Sequence, residues 1–262
     1  MRIATWNVNS VNQRVDSLTA WLKAREPDVV CLQEIKCQDA GFPREPLEAL
    51  GYNVVTHGQK TFNGVAILSK YPLEDVTRGL PGDDSDVQSR FITATVSAGA
   101  GAVKVACLYL PNGNPTNTEK YPYKLKWMDR LSQFTREHLK LEEPLVLAGD
   151  YNVIPTAADV HNPEAWLTDA LFLPQTRAKF RELANLGMTD ALRAISGEHG
   201  LYTFWDYQAG AWQKNNGIRI DHLMVSPQAV DRLSAAGIDK HVRGWEKPSD
   251  HVPVWIDLNF DK

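Results

Sequence analysis

Residues 144–153 read P-L-V-L-A-G-D-Y-N-V, and no other stretch constrains the fold as strongly. Leu145, Val146, Leu147 and Ala148 make an apolar run, which predicts a strand buried on both faces. Gly149 is expected to let the backbone turn tightly. Asp150 and Asn152 then leave the strand two residues apart, a spacing that puts both side chains on one side of an extended segment. The carboxylate can accept a proton or hold a cation, and the carboxamide can donate to a phosphate oxygen. Taken alone, the stretch reads equally as an Asx turn closing a strand. What separates the two readings is that the pattern recurs along the chain.

Residues 2–8 read as a strand that ends in W-N-V-N-S and presents Asn7 and Asn9. Val11, Val15, Leu18 and Leu22 follow at helical spacing with Trp21 beside them, so a helix is expected to end near Ala24, before Pro27. Residues 28–32 predict a buried strand that delivers Gln33, Glu34 and Lys36. Strand, helix and strand in succession are a local α/β signature. Short strands are expected over residues 52–57, 64–69 and 75–79. Residues 91–97 and 103–110 predict an antiparallel hairpin across the A-G-A-G turn at 98–101. The second of these strands presents Tyr109 and Asn112.

Residues 120–139 carry a helical stripe of Leu125, Met128, Leu131, Phe134 and Leu139. Residues 159–173 are mixed and predict short helices and loop, with His161 and Asp169 read as surface residues. Residues 174–186 predict an amphipathic helix closed by Gly187 at the C′ position. The strand over 220–225 opens with Asp221 and His222. The last strand, 252–258, is preceded by Asp250 and His251.

Residues 202–219, Y-T-F-W-D-Y-Q-A-G-A-W-Q-K-N-N-G-I-R, interleave aromatics, amides and bases with turn residues. That mixture suits a surface that stacks on or wedges into nucleic acid. The competing reading is a buried hairpin with tryptophan anchors. The net charge of −4 neither advertises nor excludes a nucleic-acid partner, since an acidic metal site can account for the excess. No apolar run approaches membrane-spanning length, so no membrane partner is expected. The three cysteines, Cys31, Cys37 and Cys107, are odd in number and form no C-x-x-C. Cys31 and Cys107 read as core fillers, and a cytoplasmic location fits best. No linker, charge block or repeat divides the chain, and polar clusters from residue 7 to residue 251 all fall at strand ends. Residues 1–262 are therefore expected to form a single catalytic domain, acting as a monomer. The expected architecture is α/β: two mixed, mainly antiparallel sheets packed face to face with helices outside.

Together these clusters offer the carboxylates Glu34, Asp150, Asp221 and Asp250, the amides Asn7, Asn112 and Asn152, and Tyr109 and His251. Hard oxygen donors favour Mg2+, with Mn2+ substituting, over zinc. No Ser-His or Cys-His nucleophile is evident. The natural reaction is attack of water on a phosphate ester. A metal shields the phosphate, a carboxylate takes the proton, and His251 with the amides holds the phosphate oxygens.

The motifs W-N-V-N at 6–9, L-Q-E-I-K at 32–36, Y-L-P-N at 109–112, G-D-Y-N-V at 149–153, R-I-D-H at 219–222 and K-P-S-D-H-V-P at 247–253 appear in order. Across essentially the whole chain the sequence resembles the exonuclease III family of abasic-site endonucleases. G-Y-N-V at 51–54, H-G-Q-K at 57–60 and P-G-D-D at 81–84 resemble its bacterial members. The resemblance implies a four-layered α/β sandwich of the deoxyribonuclease I-like type. It implies that Glu34 binds the catalytic metal with Asn7 and Asp250 in or near its shell, and that Asp150 orients and deprotonates water. Asn152 and His251 would hold the scissile phosphate, Asp221 would hydrogen-bond His251, and Tyr109 and Asn112 would contact the phosphate or the leaving group. Phe204, Trp212 and Ile218 would line the pocket for a baseless sugar, with Lys214 and Arg219 meeting flanking phosphates. The implied activity is incision of duplex DNA 5′ to abasic sites, leaving a 3′-hydroxyl, and 3′→5′ removal of nucleotides or blocking groups from duplex ends. Ser10 stands where many relatives carry Gly, and Ile218 where some carry Trp.

Two other readings compete. One is a phosphoesterase of the same superfamily acting on an inositol phosphate or another non-DNA ester. The other is a catalytically silent DNA-binding protein. Residues 202–219 speak for DNA, and the full set of reactive side chains speaks against a silent protein.

Overall fold

A computed structural model describes residues 1–99 and 101–260. Its strands in chain order are β1 (Arg2–Asn7), β2 (Val29–Gln33), β3 (Asn53–His57), β4 (Val65–Ser69), β5 (Leu73–Arg78), β6 (Phe91–Ala98), β7 (Gly101–Tyr109), β8 (Leu145–Asp150), β9 (Thr189–Asp190), β10 (Asp221–Val225), β11 (Leu233–Ile238) and β12 (Val254–Leu258). The helices are α1 (Val11–Arg25), α2 (Arg44–Glu48), α3 (Lys120–Leu139), α4 (Pro174–Asn185), α5 (Ala191–Ile195) and α6 (Pro227–Val230).

The strands form two six-stranded sheets, ordered β11-β12-β1-β2-β4-β3 and β5-β6-β7-β8-β10-β9. Near the middle of each lies a parallel pair, β1 with β2 and β7 with β8, and the other pairings are antiparallel. A parallel pair needs a crossover, supplied by α1 in the first sheet and α3 in the second.

Strand alternation explains the layers. Ile3, Val29, Cys31 and Ile67 of the first sheet meet Val105, Cys107, Val146 and Ala148 of the second in the central core. Their neighbours Ala4, Val30, Leu32 and Leu68 face outward onto Leu18, Trp21 and Leu22 of α1. Ala106, Leu108 and Leu147 face Trp127, Leu131 and Phe134 of α3 and Phe180 and Leu183 of α4. Strands buried on both faces read as continuous apolar runs for this reason. The four layers match the expected α/β sandwich.

Some expectations shift. Gly149 lies inside β8 and makes no turn: a Cβ there would stand 1.9 Å from the Leu108 carbonyl oxygen, so the close strand pairing requires glycine. Gly187, at φ +118°, does close α4. The strand expected at 75–79 begins at Leu73. The edge strand β11, L-S-A-A-G-I, escapes the sequence pattern because its small residues carry no strand alternation; Gly237 admits the Trp255 ring, which a Cβ would meet at 2.6 Å. The hairpin turn expected at 98–101 includes Ala100, which lies outside the described residues. Cys31 and Cys107 are buried as expected. Asp169 is more than a surface residue: it is half-buried and staples its loop by accepting from the Asn114 side chain at 3.1 Å and the Leu171 amide at 2.8 Å.

Candidate active site

The two crossovers carry β1, β2, β7 and β8 out at the same end of the sandwich, where the antiparallel β10 begins and the segment before β12 arrives. Register then sets the neighbours: Tyr109 pairs with Asp150, and Asp150 with Asp221. Glu34, Asp150 and His251 each turn a ligand atom into one space, and these atoms lie within 4.8 Å of one another.

Asn7, fully buried at the end of β1, ties the two sheets together. Its Nδ2 donates to Glu34 Oε1 at 2.8 Å and to Asp150 Oδ2 at 2.9 Å, while its Oδ1 accepts from the Asn9 amide at 3.0 Å. In this arrangement Asn7 orients both carboxylates. Asp250, the other residue expected at the metal, accepts from Asn9 Nδ2 at 3.1 Å and lies outside the cluster formed by Glu34, Asp150 and His251.

Asp150 is 2% exposed. Its Oδ1 accepts the Asn152 amide at 2.9 Å, so the Asx turn and the site coexist. Burial pushes the Asp150 carboxyl up to about 7, against the opposing pull of His251. The His251 imidazole bonds Asp221 Oδ2 through Nδ1 at 2.9 Å, and its Nε2 is 3.7 Å from Asp150 Oδ2. Burial alone would lower the His251 pKa. Asp221 and Asp150 outweigh that and raise it to about 10, so the ring is a cation at neutral pH. Thr203, absent from the expected set, donates to the same Asp221 oxygen at 2.6 Å and accepts the Ile220 and Asp221 amides.

Glu34 resists the effect of burial: the Asn7 hydrogen bond and the Lys36 ammonium, 2.9 Å away, hold its pKa below the ordinary value. Burial and then the Glu34 and Asp150 carboxylates push the Tyr109 phenol well above its ordinary range, so it stays protonated and donates. The Arg90 guanidinium stacks 4.8 Å from its ring centroid. Asn152 donates to the Leu110 carbonyl at 2.9 Å and accepts from the exposed Asn112 at 3.3 Å.

Phe204 sits beside His251, ring centroids 5.0 Å apart, and Ile218 pairs with it from beneath, 2% exposed. Trp212 is half-buried. It packs edge-to-face on the buried Trp205 with Lys240 over it, which is the tryptophan-anchor reading of this segment. Arg219 is a correction. It is 1% exposed and ion-paired with Asp159 and Asp190, so it presents no charge to a substrate. Lys214 is exposed and donates to the Ala209 carbonyl at 2.9 Å.

The carboxylate oxygens of Glu34 and Asp150 suit a hard divalent cation, and Lys36 supplies a positive charge beside them. Arg90, Lys36 and Thr203 stand outside the expected set of site residues. Lys36 and Thr203 do carry a readable signal, since they lie within two residues of Glu34 and Phe204.

Residues 4–251 match the endonuclease/exonuclease/phosphatase family. Exodeoxyribonuclease III of Haemophilus influenzae is 35% identical over 98% of this chain and 100% of its own. An AP endonuclease structure from Archaeoglobus fulgidus superposes with a TM-score of 0.93 at 35% identity, covering 99% of both chains. The 3′ phosphatase NExo from Neisseria, solved with a product DNA hairpin, superposes with a TM-score of 0.94 at 38% identity over 99% of this chain and 100% of its own.

Proposed function

Because the chain belongs to the endonuclease/exonuclease/phosphatase family, we propose that its strand-end site hydrolyses DNA phosphodiesters in repair. The protein is a DNA repair nuclease. The proposed substrates are duplex DNA with abasic sites, cut on the 5′ side to leave a 3′-hydroxyl, and duplex 3′ ends. The observation that carries the reading is the convergence of Glu34, Asp150 and a His251 backed by Asp221 at one end of both sheets.

Asp150 takes a proton from the attacking water, and a pKa near neutrality suits that task. His251, charged and oriented by Asp221, donates from Nε2 to a phosphate oxygen as negative charge builds there. Asn152 lies beside the same phosphate, and Asn112 anchors it. Tyr109, kept protonated, donates toward the phosphate or the leaving oxygen. Glu34 would hold Mg2+ or Mn2+, with Asn7 and Asp250 in or near its shell. A divalent cation held there would shield the phosphate and stabilise the leaving oxygen. Phe204, with Ile218 beneath, gives an apolar wall against which a baseless sugar fits after it swings out of the duplex at low unstacking cost.

Residues 1–262 act as one catalytic domain in this proposal, and as a monomer, since one chain supplies every side chain of the site. The free cysteines suit a reducing cytoplasm. No helix among the described residues is long and apolar enough to cross a membrane.

The test compares matched duplexes, one with a tetrahydrofuran abasic analogue and one intact, with Mg2+ and with EDTA. Mg2+-dependent incision 5′ to the analogue is expected. Release of phosphate from a soluble inositol phosphate, with neither duplex cut, would replace the nuclease reading with a phosphatase.

A further inference from the structure

Lys124 falls on the buried phase of α3, between Tyr121 and Met128, and is 0% exposed. An ammonium is tolerated inside a protein only when its protons are bonded. Here Nζ donates to the carbonyl oxygens of Pro111 at 3.1 Å, Asn112 at 3.1 Å and Asn152 at 2.6 Å. The first two carbonyls belong to the loop leaving β7, the third to the loop leaving β8. The same loops meet through the Asn112–Asn152 side-chain contact, and Asn152 is held at φ +47°, which side-chain-bearing residues seldom adopt. The β7 loop is moulded on the lysine stem as well: a Cβ on Gly113, at φ +91°, would meet Lys124 Cδ at 2.7 Å. Burial brings the Lys124 pKa down to about 7, with Asp150 and Asp169 holding the proton on and Arg90 opposing them.

We propose that Lys124 is a positioning residue for the cleavage reaction, its ammonium clamping the β7 and β8 exit loops together so that the Asn112 and Asn152 carboxamides meet one phosphate. It reaches no reacting atom and acts through those loops. An apolar side chain of equal length would leave the carbonyls unpaired and the two loops without a shared tie. The inference rests on the nuclease reading of the site.

The experiment measures cleavage of the abasic duplex in Mg2+ by wild type, Lys124→Met, Asn112→Ala and the double variant, with thermal unfolding of each. Leu183→Ala, in the α4 core, serves as a destabilised control. Lys124→Met is expected to lower kcat by ~10²-fold, the scale of an ångström-sized misplacement, with KM changed by less than about threefold. Leu183→Ala should keep wild-type kcat below its melting temperature. In the Asn112→Ala background, Lys124→Met should cost about tenfold less, because part of what it positions is already gone. Wild-type kcat in folded Lys124→Met, or the same loss in both backgrounds, would overturn the clamp. If Lys124→Met does not fold, Lys124→Gln, which keeps a donor for the Asn152 carbonyl, takes its place in the same comparison. Failure of the wild type to cut the abasic duplex would remove the nuclease reading and the clamp with it.

Discussion

Arg219→Met separates a structural cation from a substrate-binding one. Arg219 donates through Nε to Asp159 Oδ1 at 2.7 Å and through Nη1 to Asp190 Oδ2 at 2.8 Å, with His222 Nδ1 at 3.0 Å from Nη1. Asp159 is 0% exposed and also accepts from Arg193 at 2.5 Å and from both the amide and the hydroxyl of Thr156. Methionine fills most of the vacated volume, so the cavity contribution is small. What remains is a buried carboxylate facing one arginine where there were two, and an Asp190 without its cation. Removing one partner of a buried pair costs ~3–5 kcal/mol. At ~2–4 °C per kcal/mol for a chain of this size, the melting temperature should fall by roughly 6–20 °C. DNA binding by the folded variant should keep its salt dependence, because an arginine that neutralised a phosphate would, on removal, flatten the log–log slope by ~0.9. The assay pairs thermal unfolding with duplex binding in EDTA across a salt series. A melting shift below about 2 °C together with a slope reduced by about 0.9 would refute the burial argument and return Arg219 to the DNA.

Asp150→Asn should lower turnover by ~10²-fold or more while leaving the unfolding midpoint level or higher, since a desolvated carboxyl is removed; near-normal turnover would reassign the base. Chelation should abolish cleavage, Mg2+ or Mn2+ should restore it, and Glu34→Gln should need ~10–100-fold more metal; full activity of that variant at low Mg2+ would take Glu34 out of the metal site. His222 is buried and neutral: Nε2 faces the Val153 carbonyl at 3.0 Å, and burial and then Arg219 hold its pKa down to about 4. Its depressed pKa means that its contribution is present above the unfolded value near 6.5 and is lost as pH falls toward 4, by ~3 kcal/mol. Denaturant titrations over that window should show the decline, and His222→Gln should flatten it; an equal slope in both proteins would exclude the histidine. Ser10 adopts φ +85° with no side-chain cap bond, so Ser10→Gly should raise stability by ~1 kcal/mol, backbone relief outweighing the entropic cost of glycine; a lower denaturation midpoint would show that no strain is held there.

The legible parts of the fold are those where one residue type has one explanation. The runs V-V-C-L and L-V-L-A announce strands buried on both faces, and the acids that follow them emerge at the end of the sheets where the crossovers begin. Register is another matter. Tyr109, Asp150 and Asp221 meet because two sheet pairings align them, and no local pattern carries that information. Arg219 misleads for the same reason. A base in a polar loop suggests a binding surface, yet Asp159 and Asp190 draw Arg219 into the interior. Lys124 does carry a signal in the sequence: a charged residue on the apolar phase of a helix is paired or functional.

The site also shows where local preference is overruled. Asn9, Ser10, Glu34, Lys36 and Asn152 all have positive φ, from +45° to +85°, and every one lies at the exit of β1, β2 or β8. Glycine would relieve each position, but at every one except Ser10 it would remove the carboxylate, amide or ammonium that the site uses. Such residues cost ~1–3 kcal/mol each and persist only where surrounding contacts over-determine them. Those contacts are the same bonds that build the site: the Ser10 amide donates to the Glu34 carbonyl at 2.8 Å, Asn7 to both carboxylates, Lys36 to Asn9, and Lys124 to the Asn152 carbonyl. A reading by propensity sees five ordinary polar residues there. The strain that they share is visible only once the two sheets bring the strand exits together.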